Sequence, residues 1–285
     1  MTATLRPMKP ADIDAVCTLL HEHMNQKFTK ERWRALFSPS WCEEKRDLGI
    51  VAEDNGRIVG VHGHVCSYRV IDGHRERFRN FSSWYILKDY RRHGLGSAMV
   101  EMACADPDLT CTVFSLSPKQ TAFFKTLGME VLEEERLLWR KTGKAYENLE
   151  IVSDPVKIRQ WCDLGDIRVF DDHHDLPVIP VLVMTKCTQC LLFLSRAVKH
   201  GGVIYYDVLY RSNPALFTER VQDIAEALLP DDECVLAADK RFVDKEAGGE
   251  IEVIKSPRFF KSKRVRPRDI DLAYSEIPLL GLKLD

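Results

Sequence analysis

Apolar and polar residues along the chain switch between two periods, and the switches mark the elements. After Pro10-Ala11-Asp12, the apolar positions Ile13, Val16, Leu19 and Leu20 keep helical spacing and predict a helix. Residues 48–53 form a short apolar run. Asp54-Asn55-Gly56 follows as a turn, and residues 57–70 resume an extended pattern, so the two runs predict a hairpin. Ile71-Asp72-Gly73-His74 marks another turn. Residues 78–87 then predict a third strand, rich in aromatic and β-branched side chains. A helix is expected to start within 94–97 and to stop at Asp106-Pro107-Asp108. Residues 110–116 alternate as a strand. At Ser117-Pro118-Lys119-Gln120 the sequence carries a helix start, with Ser117 as cap, Pro118 in the first turn and Gln120 completing a capping box. That helix should end near Leu127, with Gly128 taking the left-handed cap, and residues 129–132 lead into a last strand.

The polar stretch at 141–148 (KTGKAYEN) predicts a domain boundary, giving halves at 1–143 and 150–285. The second half repeats the same order. Strands are expected at 190–194 and 202–209, a helix capped at Asn213-Pro214 and running to Leu229, and a strand at 234–238. No residue-level repeat accompanies this similarity of order.

Composition narrows the function classes. Of 285 residues, 45% are apolar and 29% charged, which suits a globular chain that needs neither disulfides nor a structural metal. A net charge of −2 supplies no field for nucleic acid or acidic membranes. The beginning of the sequence shows no apolar signal core. The longest apolar run, 176–184 (LPVIPVLVM), is short of the roughly 18 residues that span a bilayer. Nine scattered cysteines fit reduced thiols in a cytoplasm.

The informative segment is 84–100, WYILKDYRRHGLGSAMV. A strand runs into a turn with two glycines and then into a helix. Such a turn aims backbone N–H groups at one point, and the helix N-terminus adds partial positive charge, which together suit a pyrophosphate. Gly94 and Gly96 allow close approach, and Arg91 and Arg92 add charge. A dinucleotide site wants a third glycine, where Met99 or Val100 stands, and a Walker loop wants Gly-Lys-Ser/Thr; neither is present.

This segment resembles the GNAT acyltransferase family, whose pattern Arg/Gln-x-x-Gly-x-Gly/Ala is matched by Arg91-Arg92-His93-Gly94-Leu95-Gly96. Ile86, Lys88 and Tyr90 take the places of the preceding Val-x-Pro-x-Tyr/Phe. Ser117, Gln120, Phe123, Phe124, Gly128 and Met129 occupy the positions of the family's downstream motif, with several identities changed. The likeness covers roughly residues 3 to 140. It implies an α/β fold with a mixed, mostly antiparallel sheet flanked by helices, and a second, degenerate GNAT-like half that shapes the acceptor site. It implies acetyl-CoA as co-substrate, with its pyrophosphate on the amides from Arg92 to Ser97 and its pantetheine on free backbone amides near Trp84 and Ile86. An amine of a small molecule would attack the thioester directly. The expected cofactor-binding set is Trp84, Ile86, Arg91, Arg92, His93, Gly94, Leu95, Gly96 and Ser97.

The chain departs from the family where proton transfer is concerned. Phe124 stands where many members place a Tyr that protonates the thiolate. Asn80 stands where some place a Glu base. Asn80 and Ser82 are the weak catalytic candidates, able at most to hold a water. These losses leave a second reading, a catalytically inactive acyl-CoA-binding or protein-interaction module.

Other features carry bland expectations. His62 and His64 share a strand face, with structural or substrate-facing roles ahead of metal. Cys187 and Cys190 read as buried thiols flanking a strand, since Cys234 alone does not complete a zinc site. His173 and His174 are expected in a solvated loop. Glu43 and Glu44 are expected on a solvated face. Lys261, Lys263, Arg264, Arg266 and Arg268 are expected along a solvated edge. Residues 274–282 are apolar enough to pack.

Overall fold

The computed structural model describes residues 3–41, 47–231, 233–244 and 247–284. Glu43 and Glu44 lie outside the described residues. The chain forms two compact units. The first gathers Met1–Leu132, Arg258–Asp269 and Tyr274–Leu280; the second gathers Glu133–Pro257, Ile270–Ala273 and Gly281–Asp285. The polar stretch at 141–148 lies inside the second unit, and the last segment of sequence contributes to both.

In the first unit, β1 (Thr4–Pro7) precedes α1 (Ile13–His23) and the short α2 (Lys30–Arg34). Val16, Cys17, Leu19 and Leu20 are the buried positions of α1, as the apolar spacing demands. Thr29 caps α2 by accepting from the Arg32 N–H. Next come β2 (Gly49–Asp54), β3 (Arg57–Ile71) and β4 (His74–Ile86), an antiparallel meander with β1 on its outer edge. Both hairpins turn on two residues. Asn55 and Gly56 have φ of 50° and 80°, and Asp72 and Gly73 have 49° and 79°, the left-handed pair that a two-residue turn requires. Then α3 (Leu95–Ala103) crosses over to β5 (Leu109–Val113), which lies parallel to β4. A capping box at Ser117 and Gln120 starts the turn that leads into α4 (Thr121–Thr126). Strand β6 (Glu130–Trp139) follows.

The second unit begins with β7 (Glu150–Val152), α5 (Pro155–Trp161) and α6 (Leu164–His173). Strands β8 (Ile179–Met184), β9 (Gln189–Val198) and β10 (Ile204–Arg211) extend β7 into an antiparallel meander. Helix α7 (Pro214–Leu228) crosses to β11 (Cys234–Asp239), parallel to β10, and β11 pairs antiparallel with β6 at Leu236↔Trp139. Strand β12 (Glu250–Lys261) and the short α8 (Glu276–Leu280) complete the chain. The end of β12 returns to the first unit, where Phe259, Phe260 and Lys261 pair antiparallel with Val113, Thr112 and Cys111 of β5.

The fold class is therefore α/β, with mostly antiparallel strands flanked by helices. In the first unit, one sheet face buries Ile50, Ala52, Phe81 and Ile86 against Met99, Val100 and Ala103 of α3, Phe124 of α4 and Phe259. Each of the larger side chains among these contributes roughly 1.5–3 kcal/mol.

Two expectations change, and two strands appear that the sequence reading does not name. The strand foreseen at 110–116 stops at Val113, because the Ser115 N–H turns to a carboxylate, that of Glu276, instead of a neighbouring strand. His173 is not in a solvated loop; it ends α6, fully buried, with Nδ1 on the Val169 carbonyl and Nε2 on the Ala273 carbonyl. The apolar run at 176–184 supplies β8, paired on both sides. Strand β12 was hidden by its polar first half. No helix among the described residues is long and apolar enough to cross a membrane.

Candidate active site

Strand β4 has two neighbours along its length, but not everywhere. On one side it pairs with β3 from Ile71↔His74 to Gly60↔Ile86. On the other it pairs with β5 only from Arg77↔Leu109 to Asn80↔Thr112. Beyond Asn80 the strands fork, and the β5-facing edge of β4 over 81–86 has no strand partner among the described residues. Backbone amides left on such an edge seek a hydrogen-bond partner.

The open end of this fork is a cavity of about 510 Å³. One wall is Trp84, Tyr85 and Ile86; the other is Ser117, Gln120 and Phe123; the loop Tyr90, Arg91, Arg92, Gly94, Leu95, Gly96 and Ser97 closes it. Eight of the nine residues assigned to cofactor binding from sequence meet here; His93 is exposed and outside the lining.

The loop geometry follows from its residues. Arg92 and Gly94 have φ of 69° and 76°. Two left-handed residues so close together turn successive N–H groups inward. Gly94 is the N-cap of α3 and no side chain caps that terminus. The first intrahelical bond among the loop amides is from the Ala98 N–H to the Gly94 carbonyl, at 3.0 Å. The earlier amides of α3 therefore have no partner in their own helix. Gly96 is required for a different reason: a Cβ there would sit 2.6 Å from Cζ2 of Trp84. Arg91 Nε donates to the Ile86 carbonyl at 2.8 Å, and Tyr90 Oη donates to Asp54 Oδ2 at 2.6 Å, so both brace the loop against β4 and the first hairpin.

Trp84 stacks on Phe123 with ring centres 5.0 Å apart and meets Phe124 edge-on at 5.8 Å. Phe124 also stacks on Phe259 and is buried, so the residue at the family's acid position is a core side chain. Asn80 is buried and engaged at both ends of its amide. Nδ2 donates to Thr112 Oγ1 at 3.3 Å, and Oδ1 accepts from the Glu276 N–H at 3.2 Å. Ser82 is buried as well, its Oγ without a hydrogen-bond partner.

Two polar arrangements beside the fork escaped the sequence reading. The first is a chain of rings. His64 Nδ1 meets Asp47 Oδ1 at 3.1 Å, and His64 Nε2 meets His62 Nδ1 at 2.9 Å. With Asp47 accepting, His64 Nε2 accepts in turn from the His62 Nδ1–H. That tautomer leaves His62 Nε2 a bare acceptor, buried and without a partner. Burial pushes both histidines below their ordinary pKa, so they are neutral. Burial also pushes Asp47 up, but His64 and Arg79 outweigh it and hold the carboxyl below the usual range. The second arrangement is Glu276 of α8, wholly buried, whose Oε1 accepts from Ser115. From sequence, an isolated Glu inside the apolar 274–282 was its one signal.

The remaining candidates take structural places. Arg264 pairs with Glu76 at 3.2 Å, and Arg266 with Asp72 at 3.0 Å and Asp269 at 2.7 Å, so acidic partners offset these two charges of the basic run. Cys190 is buried as expected, but Cys187 is exposed in the bend between β8 and β9, and both are free thiols.

Residues 14–129 match the model of the acetyltransferase (GNAT) family. No curated protein matches the sequence. Among solved structures, the chain is similar to a conserved Enterococcus faecalis protein described as a probable N-acyltransferase. The TM-score is 0.59 at 12% identity, over 91% of this chain and 72% of that one. A GCN5-related N-acetyltransferase from Anabaena variabilis gives 0.56 at 9% identity, over 91% and 72%. Another, from Kribbella flavida, gives 0.53 at 10% identity, over 91% and 71%. At these identities the likeness is one of fold. The forked strands and the open helix terminus both fall within residues 14–129, the stretch that matches the acetyltransferase (GNAT) family model.

Proposed function

We propose that the protein transfers an acetyl group from acetyl-CoA to an amine of a small molecule by direct attack on the thioester. The observation that carries this reading is the uncapped N-terminus of α3 opening onto the cavity of the β4–β5 fork. Anions bind such termini because N–H groups and the helix dipole act together, and Arg91 and Arg92 add charge there. The pyrophosphate belongs on the amides from Arg92 to Ser97. The pantetheine belongs along the unpaired edge of β4, near Trp84 and Ile86. An amide on that edge polarises the thioester carbonyl and stabilises the oxyanion as the amine attacks. Holding the two reactants in line supplies much of the rate, and no covalent enzyme intermediate is required. A cytoplasmic location suits the free thiols.

A second reading, an acyl-CoA binder without turnover, is favoured by Phe124 and Asn80, both committed to packing and hydrogen bonding. Calorimetric titration with acetyl-CoA, CoA and a nicotinamide dinucleotide tests the donor site. Selective micromolar binding of acetyl-CoA is expected, and equal or absent binding overturns the reading. Free-thiol release with a polyamine, an amino sugar and an amino-acid derivative then separates enzyme from binder.

A further inference from the structure

Direct attack needs an amine that has lost a proton, and the two β4 candidates at the vertex of the fork are Asn80 and Ser82. Neither is a base. The missing group comes from the far end of the sequence. Glu276 lies across the vertex of the fork. Its N–H donates to Asn80 Oδ1, and its Oε1 accepts from the Ser115 N–H at 3.1 Å and from Ser115 Oγ at 2.6 Å. Ser115 lies just past the end of β5, on the arm that continues to Ser117 in the cavity wall. Ser115 is exposed while Glu276 is fully buried, so the hydroxyl bond links an exposed residue two positions from the cavity wall to an interior carboxylate.

We propose that Ser115 and Glu276 together accept the proton of the incoming amine, Ser115 Oγ touching the ammonium and the Glu276 carboxylate taking the proton through it; this rests on the acyltransfer reading above. The ammonium gives a proton to Ser115 Oγ as the Ser115 hydroxyl proton passes to Glu276. The freed nitrogen lone pair forms the N–C bond to the thioester carbonyl, and the C–S bond breaks with its electron pair on sulfur. The second proton on nitrogen neutralises the thiolate. Glu276 returns its proton through Ser115 to solvent, so the products are the amide, CoA thiol and one released proton.

A second carboxylate shows what a purely structural role looks like. Glu226 of α7 also accepts from both the N–H and the hydroxyl of one residue, Thr142, each at 2.6 Å. It takes further bonds from the Gly143 N–H and Gln222. Burial pushes its pKa up, but those bonds outweigh it and Glu226 stays below its ordinary value. Glu276 lies deeper than Glu226 and also differs in one oxygen. Its Oε2 is buried without a partner, and burial pushes the carboxyl up to about 7, with the bonds from Ser115 offsetting only part of the rise. A group poised near neutrality is suited to taking and releasing a proton. Ala35–Phe37 and the Asn80 stretch of β4 pack against α8, and Arg32 reaches that helix at the Leu280 carbonyl.

Glu276→Gln is the direct test, because glutamine keeps an oxygen for Ser115 and places its amide where Oε2 has no partner. With the best acceptor from the amine panel, kcat is expected to fall by about 100-fold or more. Acetyl-CoA affinity by calorimetry should stay within twofold. Ser115→Ala, at an exposed position that tolerates truncation, should lower kcat at least tenfold, again without loss of acetyl-CoA. Turnover within threefold of wild type in either variant, with acetyl-CoA binding intact, overturns the dyad alone. Wild-type protein that neither binds acetyl-CoA nor releases thiol overturns the underlying reading, and the dyad with it.

Discussion

Each unit joins two parallel strands through a helix, and the two crossovers end differently at the helix N-terminus. In β10–α7–β11, Asn213 caps α7 by accepting from the Leu216 N–H at 3.0 Å, and Pro214 removes another donor from the first turn. That terminus satisfies itself. In β4–α3–β5, the cap position is Gly94 in the left-handed region, with no side chain to accept and a left-handed Arg92 just before it. That terminus is left for a ligand. The topology is shared, so the capacity to bind an anion resides in a few loop residues and not in the βαβ arrangement. The carboxylates repeat the lesson. Glu226 is saturated with donors, whereas Glu276 keeps one oxygen unpartnered.

The largest effect expected is on stability, at Glu276. Its folded pKa of about 7 lies above the ordinary value of 4.5, so the folded state holds the proton more tightly than the unfolded chain. The stabilisation is complete below about pH 4.5 and is lost as pH rises through 7. At pH 8 the charged, buried carboxylate therefore costs on the order of 3 kcal/mol. Glu276→Gln should raise the melting temperature at pH 8 and leave it unchanged at pH 4. A variant less stable than wild type at pH 8 would place Glu276 with Glu226, as a structural carboxylate.

Gly94→Val is expected to weaken acetyl-CoA binding by about 30-fold, close to 2 kcal/mol, by straining a left-handed residue and crowding the phosphates. Unchanged affinity in a calorimetric titration would remove the loop from the donor site and erase the contrast between the two helix termini. Asn213→Ala should cost about 1 kcal/mol of stability, read as a lower urea midpoint, with no change in acetyl-CoA affinity. A loss of acetyl-CoA binding there would break the assignment of the cofactor to the first crossover. Smallest is Arg92→Ala, expected to reduce affinity about threefold and to flatten its dependence on salt, since the residue is exposed and screened.

Much of the donor side was legible in the sequence because it is local. Periodicity located the hairpins, α1, α3 and the crossover. The turn Asn55-Gly56 could adopt few other conformations. The loop from Arg91 to Ser97 is contiguous, so the residues that surround one ligand group are neighbours in the chain. The existence of β12 was not legible, since a strand half exposed and half buried has no single alternation, and the end of β5 was not, since a carboxylate 161 positions away sets it. Nor was the burial of His173, which ends α6 and depends on carbonyls 4 residues away and 100 residues away.

The sequence by itself determined the order of the elements, the hairpin turns and the open, glycine-bearing helix terminus, since each depends on backbone preferences within a few residues. Only the tertiary structure decided where β4 and β5 part, that Asn80 is occupied, and that Ser115 and Glu276 meet across 161 positions of chain. Such meetings are set by which surfaces pack and which buried polar atoms must find partners, and neither property is carried by any short stretch of residues.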